Sequence, residues 1–241
     1  MDELFQSAVL PKPTETRPLL GLTVLAVEDS RFACEALRLL CLRSGARIRR
    51  ADCLTSARRH LKVYRPSVLI VDVGLPDGSG IDLIAEAAAS SPRIAVILGS
   101  SGDDTQASAA VLAGADGFLA KPVVSLAEFQ ETVLSHLPDT RQPKGPRRLP
   151  HDVVQPDQIA FQDDMLHLSS VLSDLGNLSL VDYAARFAAG VALTADDEAL
   201  LDAAKAVSSE VERAPASVAT SSAVHDFADL VAMRIDRQMA I

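Results

Sequence analysis

The stretch Val68-Leu69-Ile70-Val71-Asp72-Val73-Gly74-Leu75-Pro76-Asp77-Gly78-Ser79-Gly80 decides the fold. Four apolar residues run into a carboxylate, and a turn rich in Gly, Pro and Asp follows at once. A short apolar run bounded by turn signals predicts a strand buried on both faces. Asp72 then stands at the carboxyl end of a central parallel strand, where open α/β sheets place their chemistry. On these residues alone, opening a turn explains the carboxylate equally well, and the rest of the chain decides.

Working outward, Leu22–Val27 is a first apolar run and ends at Glu28-Asp29-Ser30. A helical pattern follows from Arg31 to Ser44, with Ser30 as N-cap and Gly45 as the residue past its end. Residues 47–51 form a short and unusually basic strand candidate, and 54–64 a helix closed by Pro66. Beyond the opening stretch, 81–89 is helical, Ile94–Leu98 is an apolar run leading into Gly99-Ser100-Ser101-Gly102, and 104–113 is helical. Gly117–Ala120 then leads into Lys121-Pro122. The segment 125–137 opens with Ser125 and Glu128, a capping box. Strand and helix alternate five times, which predicts a five-stranded parallel, doubly wound sheet with helices on both faces. The polar strand ends Glu28-Asp29, Asp72, Gly99-Ser100 and Lys121 then share one edge.

The chain has 241 residues and a net charge of −9, unevenly placed. From residue 151 onward there are 15 Asp/Glu against 5 Lys/Arg, whereas the first 150 residues carry a balance of +1. Between them, Pro138, Pro143, Pro146, Pro150 and Pro156 alternate with Arg141, Lys144, Arg147 and Arg148, which predicts a stiff, solvated basic linker. Four helices are expected beyond it, near 157–175, 179–190, 195–212 and 222–239, with breaks at Asn177, Gly190 and Pro215. The organisation expected is an N-terminal extension (1–20), an α/β domain (21–137), the linker (138–156) and an acidic all-α region (157–241). Cys34, Cys41 and Cys53 are odd in number and fit no zinc pattern, so reduced thiols in a cytoplasmic protein are expected. The acidic N-terminus is not a signal peptide, and no apolar run approaches membrane-spanning length.

Glu28, Asp29 and Asp72 in one pocket repel one another, so the site calls for a cation. Hard carboxylate oxygens with a backbone carbonyl suit Mg2+. A carboxylate so placed can act as nucleophile toward a phosphoryl group, with the metal and a lysine, Lys121, neutralising charge. At Val27-Glu28-Asp29-Ser30, at Val71 to Gly80 and at Phe118-Leu119-Ala120-Lys121-Pro122, the chain from Leu22 to Leu137 resembles the receiver domain of two-component response regulators, with a flavodoxin-like fold. The resemblance implies Asp72 as phosphoacceptor, Asp29 as a direct Mg2+ ligand, Glu28 acting partly through water, the Gly74 carbonyl as a third ligand, and Lys121 on the phosphoryl group. Phe118 takes the place of the family's switch aromatic, with a plain core ring as the equal alternative. The family's hydroxyl at the fourth strand end falls on Gly99 by its interval to Lys121; either a small chain shift lets Ser100 serve, or the hydroxyl is missing. A phosphoacceptor of this kind is not an enzyme in the ordinary sense, though it can catalyse its own phosphorylation and dephosphorylation.

A histidine kinase or phosphotransfer protein is the implied donor. The acidic C-terminal region lacks the basic face that DNA requires, so DNA is not expected as its partner. Length and the lack of a Gly-Gly-acid-acid signature exclude a cyclic-nucleotide enzyme. Output through protein–protein contacts of the helical region, with an unidentified partner, is the leading reading. The alternatives are a DNA-binding transcriptional regulator and a phosphorelay protein with a divergent histidine-phosphotransfer-like region around His167. His151 and His225 have no better claim. The stripe Val224/Phe227/Val231/Ile235 is core by default and a homodimer seam otherwise.

Overall fold

The computed structural model describes residues 12–145, 148–173, 177–215 and 221–239. The first eleven residues of the N-terminal extension, Pro146 and Arg147 of the linker, Gly176 and the Met239 side chain lie outside what is described. The first half is β1 (Thr23–Val27), α1 (Arg31–Ser44), β2 (Arg47–Ala51), α2 (Leu54–Val63), β3 (Val68–Asp72), α3 (Gly80–Ala89), β4 (Val96–Ser101), α4 (Gln106–Leu112), β5 (Gly117–Ala120) and α5 (Leu126–Ser135). The strands form one parallel sheet in the order β2-β1-β3-β4-β5. This is the parallel, doubly wound sheet predicted from the alternation, in the flavodoxin-like form that the resemblance implies.

The period of two along each strand sorts the side chains. Val24, Ala26, Val68, Ile70, Val96 and Leu98 pack toward α1 and α5. Leu25, Val27, Leu69, Val71 and Ile97 pack toward α2, α3 and α4. Every residue of β3 is buried, as a central parallel strand requires. β2 lies at the sheet edge with Arg47, Arg49 and Arg50 exposed, a charged edge that resists pairing with another chain. Past β3, Gly74–Leu75 and Gly78–Ser79 fold back as a small antiparallel ribbon. That fold brings the Asp72 carbonyl to within 2.0 Å of where a Cβ on Gly80 would stand, so glycine is obligatory there. Asp77 in the same turn accepts from the Leu54 and Thr55 amides at 2.7 and 2.9 Å and ties the turn to the start of α2.

The second half is α6 (Gln158–Val171), α7 (Leu178–Ala195), α8 (Glu198–Arg213) and α9 (Ser222–Met239). Asn177, expected as a break, stands before α7 as its N-cap, but Gly190 does not break a helix: it lies inside α7, where that helix passes Lys121. By length and composition α7 could cross a membrane, with a mean hydropathy of 1.2, contrary to the expectation from the sequence. Here its apolar surface forms the centre of the bundle, with Val181, Ala184, Ala188 and Val191 buried. Val224, Phe227 and Val231 are buried against α6 and α8, so the stripe on α9 is core within the chain. The end of the linker is no free spacer. Val154 is buried, its amide donates to the Val124 carbonyl, and the Leu126 amide donates to the Asp152 carbonyl.

Phe32 joins the two halves. It lies on the first turn of α1 yet is buried among bundle residues, with its ring edge-on to Phe161 at 5.5 Å. Asp164 of α6 accepts from the Ser30 hydroxyl at 2.7 Å and from the Arg31 and Phe32 amides at 2.8 and 3.0 Å. The first-turn amides of a helix have no intrahelical partner and favour negative charge, so Asp164 caps α1 from the other domain.

Candidate phosphoacceptor site

Glu28, Asp72, Ser100 and Lys121 each continue the period-two row that faces α1 and α5. The rows end together and gather these side chains at one sheet edge. Lys121 Nζ stands 2.8 Å from Glu28 and 3.1 Å from Asp72; both carboxylates are buried and the lysine side chain is 8% exposed. Oxygens of Glu28, Asp29 and Asp72 lie within 4.8 Å of one another. This is a compact set of hard anionic donors and suits a small divalent cation with retained waters. Glu28, Asp29 and Asp72 would hold it, and Gly74 lines the same space. Arg50 of the basic edge strand binds the Asp29 carbonyl at 2.7 Å and holds the β1–α1 loop in place. The Lys121–Pro122 peptide is cis.

Burial governs the electrostatics. It raises Glu28 to about 8 against the opposing pull of Lys121, with Asp72 adding to the rise. Burial and then the neighbouring Asp72 raise Asp29 to about 6. Burial works to lower Lys121, but Asp72 and Glu28 outweigh it and keep the ammonium protonated. The thiol of Cys34 close by is inert for the same reason, as is that of Cys41 at the far end of α1: burial pushes both up to about 12.

The strand-end hydroxyl is divided between neighbours. Ser100 is buried and donates to the Leu119 carbonyl at 3.0 Å, while Ser101 lines the cavity beside Asp72 and Lys121. Gly99 points to the opposite face. A Cβ there would stand 2.8 Å from Ala110 Cβ and 3.1 Å from the Phe118 ring. Phe118, half-buried, therefore seats against the space Gly99 leaves. We expect Gly99→Thr to destabilise the fold by about 1–3 kcal/mol through overpacking. Urea midpoints of the variant and of Gly99→Thr/Phe118→Ala test this: the second change should restore part of the loss, and equal midpoints for wild type and Gly99→Thr would refute it.

The sequence reading missed the residues that come from the bundle. Tyr183 of α7 donates its hydroxyl to Asp29 Oδ2 at 2.7 Å, 154 positions away in the chain. His167 Nε2 lies 3.1 Å from the same hydroxyl, and the His167 ring packs on Phe187 at 5.2 Å. His167 thus stands behind Tyr183 rather than in the pocket. His225 lies away from it, with Nδ1 2.8 Å from the Ser221 carbonyl. Between the strand ends and α7–α8 lies a cavity of about 840 Å³, reached by Asp72, Lys121, Ser101, Tyr183, Arg186 and Lys205. Tyr183 is one of two tyrosines in the chain, and no local pattern marks it.

Comparison with known proteins gives a family match for the first half of the chain. Residues 24–133 match the response regulator receiver domain family. The chain is 33% identical over 99 residues to the KDP operon transcriptional regulatory protein KdpE of Escherichia coli, covering 41% of this chain and 44% of that protein. It is 32% identical over 100 residues to the virulence transcriptional regulatory protein PhoP of Salmonella typhimurium, covering 41% and 45%. The match thus spans less than half the length of these relatives. Among solved structures, chemotaxis protein CheY4 of Vibrio cholerae aligns with a TM-score of 0.45 at 23% identity, covering 48% of this chain and 98% of that one. Response regulator TrrA of Thermotoga maritima, solved with Mg(2+)-BeF, aligns with a TM-score of 0.44 at 21% identity, covering 48% and 99%. The relatives' names give no support to the expectation that DNA is not a partner.

Proposed function

We propose, on the premise that residues 24–133 are a response-regulator receiver domain, that the chain is a phosphorylation-dependent signalling switch whose phosphoacceptor is Asp72. The observation that carries this reading is the Asp72 carboxylate, 3.1 Å from the Lys121 ammonium within a three-carboxylate cluster. An Asp72 oxygen attacks the phosphorus of a phosphohistidine or small phosphodonor. The O–P bond forms as the donor's bond to phosphorus breaks, and the leaving group keeps the electron pair. Lys121 holds the entering phosphoryl oxygens as it leaves its ground-state partners. Asp29, Glu28, Asp72 and the Gly74 carbonyl would hold Mg2+, which would neutralise charge on the transferring group. The donor class is a histidine kinase or phosphotransfer protein, and the chain acts as acceptor rather than as an enzyme that turns over.

Output runs through protein contacts of the helical region. The bundle packs on α1 and the pocket mouth. It is therefore placed to read the state of Asp72 directly. A transcriptional role is the second reading, favoured by the names of the relatives; salt-dependent DNA binding separates the two.

Intact-mass measurement after incubation with acetyl phosphate and Mg2+ tests the main reading. We expect one added phosphoryl group on wild type and none on Asp72→Asn. Equal uptake by the two, or none by either, would overturn the assignment.

A further inference from the structure

Helix α7 lies across the mouth of the acidic pocket and places a proton donor on the carboxylate that a metal needs. Asp29 Oδ2 accepts from the Tyr183 hydroxyl at 2.7 Å, and Oδ1 accepts from the Ser30 amide at 3.0 Å. Tyr183 is not a loose side chain. With its one hydroxyl hydrogen on Asp29, it receives the Nε2–H of His167 at 3.1 Å, and its ring packs on Phe187 at 5.8 Å. The positive end of the O–H dipole thus points at an oxygen that a divalent cation would take, and the two demands on its electron pairs conflict.

A second contact, one residue along the chain from Asp29, holds this donor in place. The Asp164 carboxylate takes three hydrogen bonds from the first turn of α1 and its cap. Phe32 is buried in the bundle beside Phe161. Tyr183 therefore reaches Asp29 only while the helical domain is seated on α1.

We propose that Tyr183 is a gate residue of the metal site: its hydroxyl and a divalent cation compete for Asp29, so seating of the helical domain and occupation of the pocket oppose each other. This rests on the reading of Asp72 and its neighbours as a Mg2+-dependent phosphoacceptor site. Coupling of this kind is reciprocal. A cation at Asp29 loosens the helical domain by the same factor by which the seated domain weakens the cation. The domain thus senses the pocket by direct displacement, without a relay through the Gly99–Phe118 face.

Calorimetric titration of the full chain with MgCl2 tests the proposal in wild type, Tyr183→Phe and Asp164→Ala. Tyr183→Phe keeps the ring and removes the donor, and Asp164→Ala releases the seat on α1 without removing a group that bonds the three carboxylates directly. We expect both to bind Mg2+ roughly ten-fold more tightly than wild type, the size set by one hydrogen bond to a charged group. We also expect Mg2+ to speed amide exchange of 178–195 in wild type and to have less effect in Asp164→Ala. Equal affinities in all three proteins would overturn the gate and leave the phosphoacceptor reading standing. Weaker binding by Tyr183→Phe would also overturn it, because Tyr183 would then be orienting Asp29 for the metal. No Mg2+ binding by any of the three would overturn the phosphoacceptor reading and the gate with it.

Discussion

Lys121→Met will lower the stability of the metal-free chain by about 3–5 kcal/mol at pH 8, the cost of removing one partner from a buried ion cluster. Lys121 is the cation that Glu28 and Asp72 share, at 2.8 and 3.1 Å, with side chains 10% exposed or less. Without it three carboxylates face one another in a buried pocket, and methionine fills the volume but supplies no charge. The sign with pH follows from the raised carboxylates. Glu28 has a folded value of about 8 against an ordinary 4.5, and Asp29 about 6 against 3.8. A group raised on folding contributes stability that is complete below its unfolded value and is lost as pH rises through its folded one. The metal-free wild type should therefore lose stability between about pH 4 and 8, by a few kcal/mol in order of magnitude. In Lys121→Met the loss should be steeper and continue to higher pH, because the attraction that held Glu28 down is gone. Mg2+ binds the ionised carboxylates and should recover much of the loss at pH 8 and little at pH 5. Denaturant midpoints at the two pH values, with and without Mg2+, check this. A midpoint for the variant equal to wild type at pH 8 would mean that the cluster does not need its lysine.

Phe32→Ala should detach the helical domain while leaving the receiver fold intact. Phe32 is 3% exposed, yet its neighbours are bundle residues rather than those under the sheet. Truncating a buried Phe costs about 3–5 kcal/mol, and here the cost falls on the contact between domains. The other contacts are weaker. The Arg31–Asp163 pair is exposed and contributes under about 1 kcal/mol. The Asp164 cap contributes on the order of 1 kcal/mol. Their sum, about 2 kcal/mol, is smaller than what the alanine removes, so the seated population should drop sharply. We expect a larger radius of gyration by small-angle scattering and faster proteolysis near residues 148–157, with the sheet's amide protection unchanged. An unchanged radius together with a single, uniformly lowered unfolding transition would show instead that the two halves fold as one unit.

The alternation of strand and helix, the covered faces of the sheet and the carboxylate cluster were legible because each rests on a short-range rule. Period two along Val68–Asp72 aims alternate side chains at opposite layers, and Gly80 is forced by the Asp72 carbonyl beside it. The strand-end hydroxyl was half legible. The interval to Lys121 pointed to Gly99, while strand pairing sets Ser100 opposite Asp72, and only the fold showed that Phe118 needs the space at Gly99. Gly190 misled because a glycine inside a helical pattern reads as a stop when the helix's partners are unknown. The apolar length of α7 likewise has meaning only with its neighbours in place.

The sequence alone determined a receiver-like sheet with Asp72, Asp29, Glu28 and Lys121 at one edge, and an acidic, helical second half. Tertiary structure alone decided that this half rests on the site, with Tyr183 on Asp29 and Asp164 on α1, across 154 and about 130 intervening positions. The physical reason is that helical periodicity states only that an apolar face must be buried. The hydrophobic effect is non-directional, so the partner of that face, and the polar residues carried to its rim, are chosen by shape and hydrogen bonding between elements far apart in the chain.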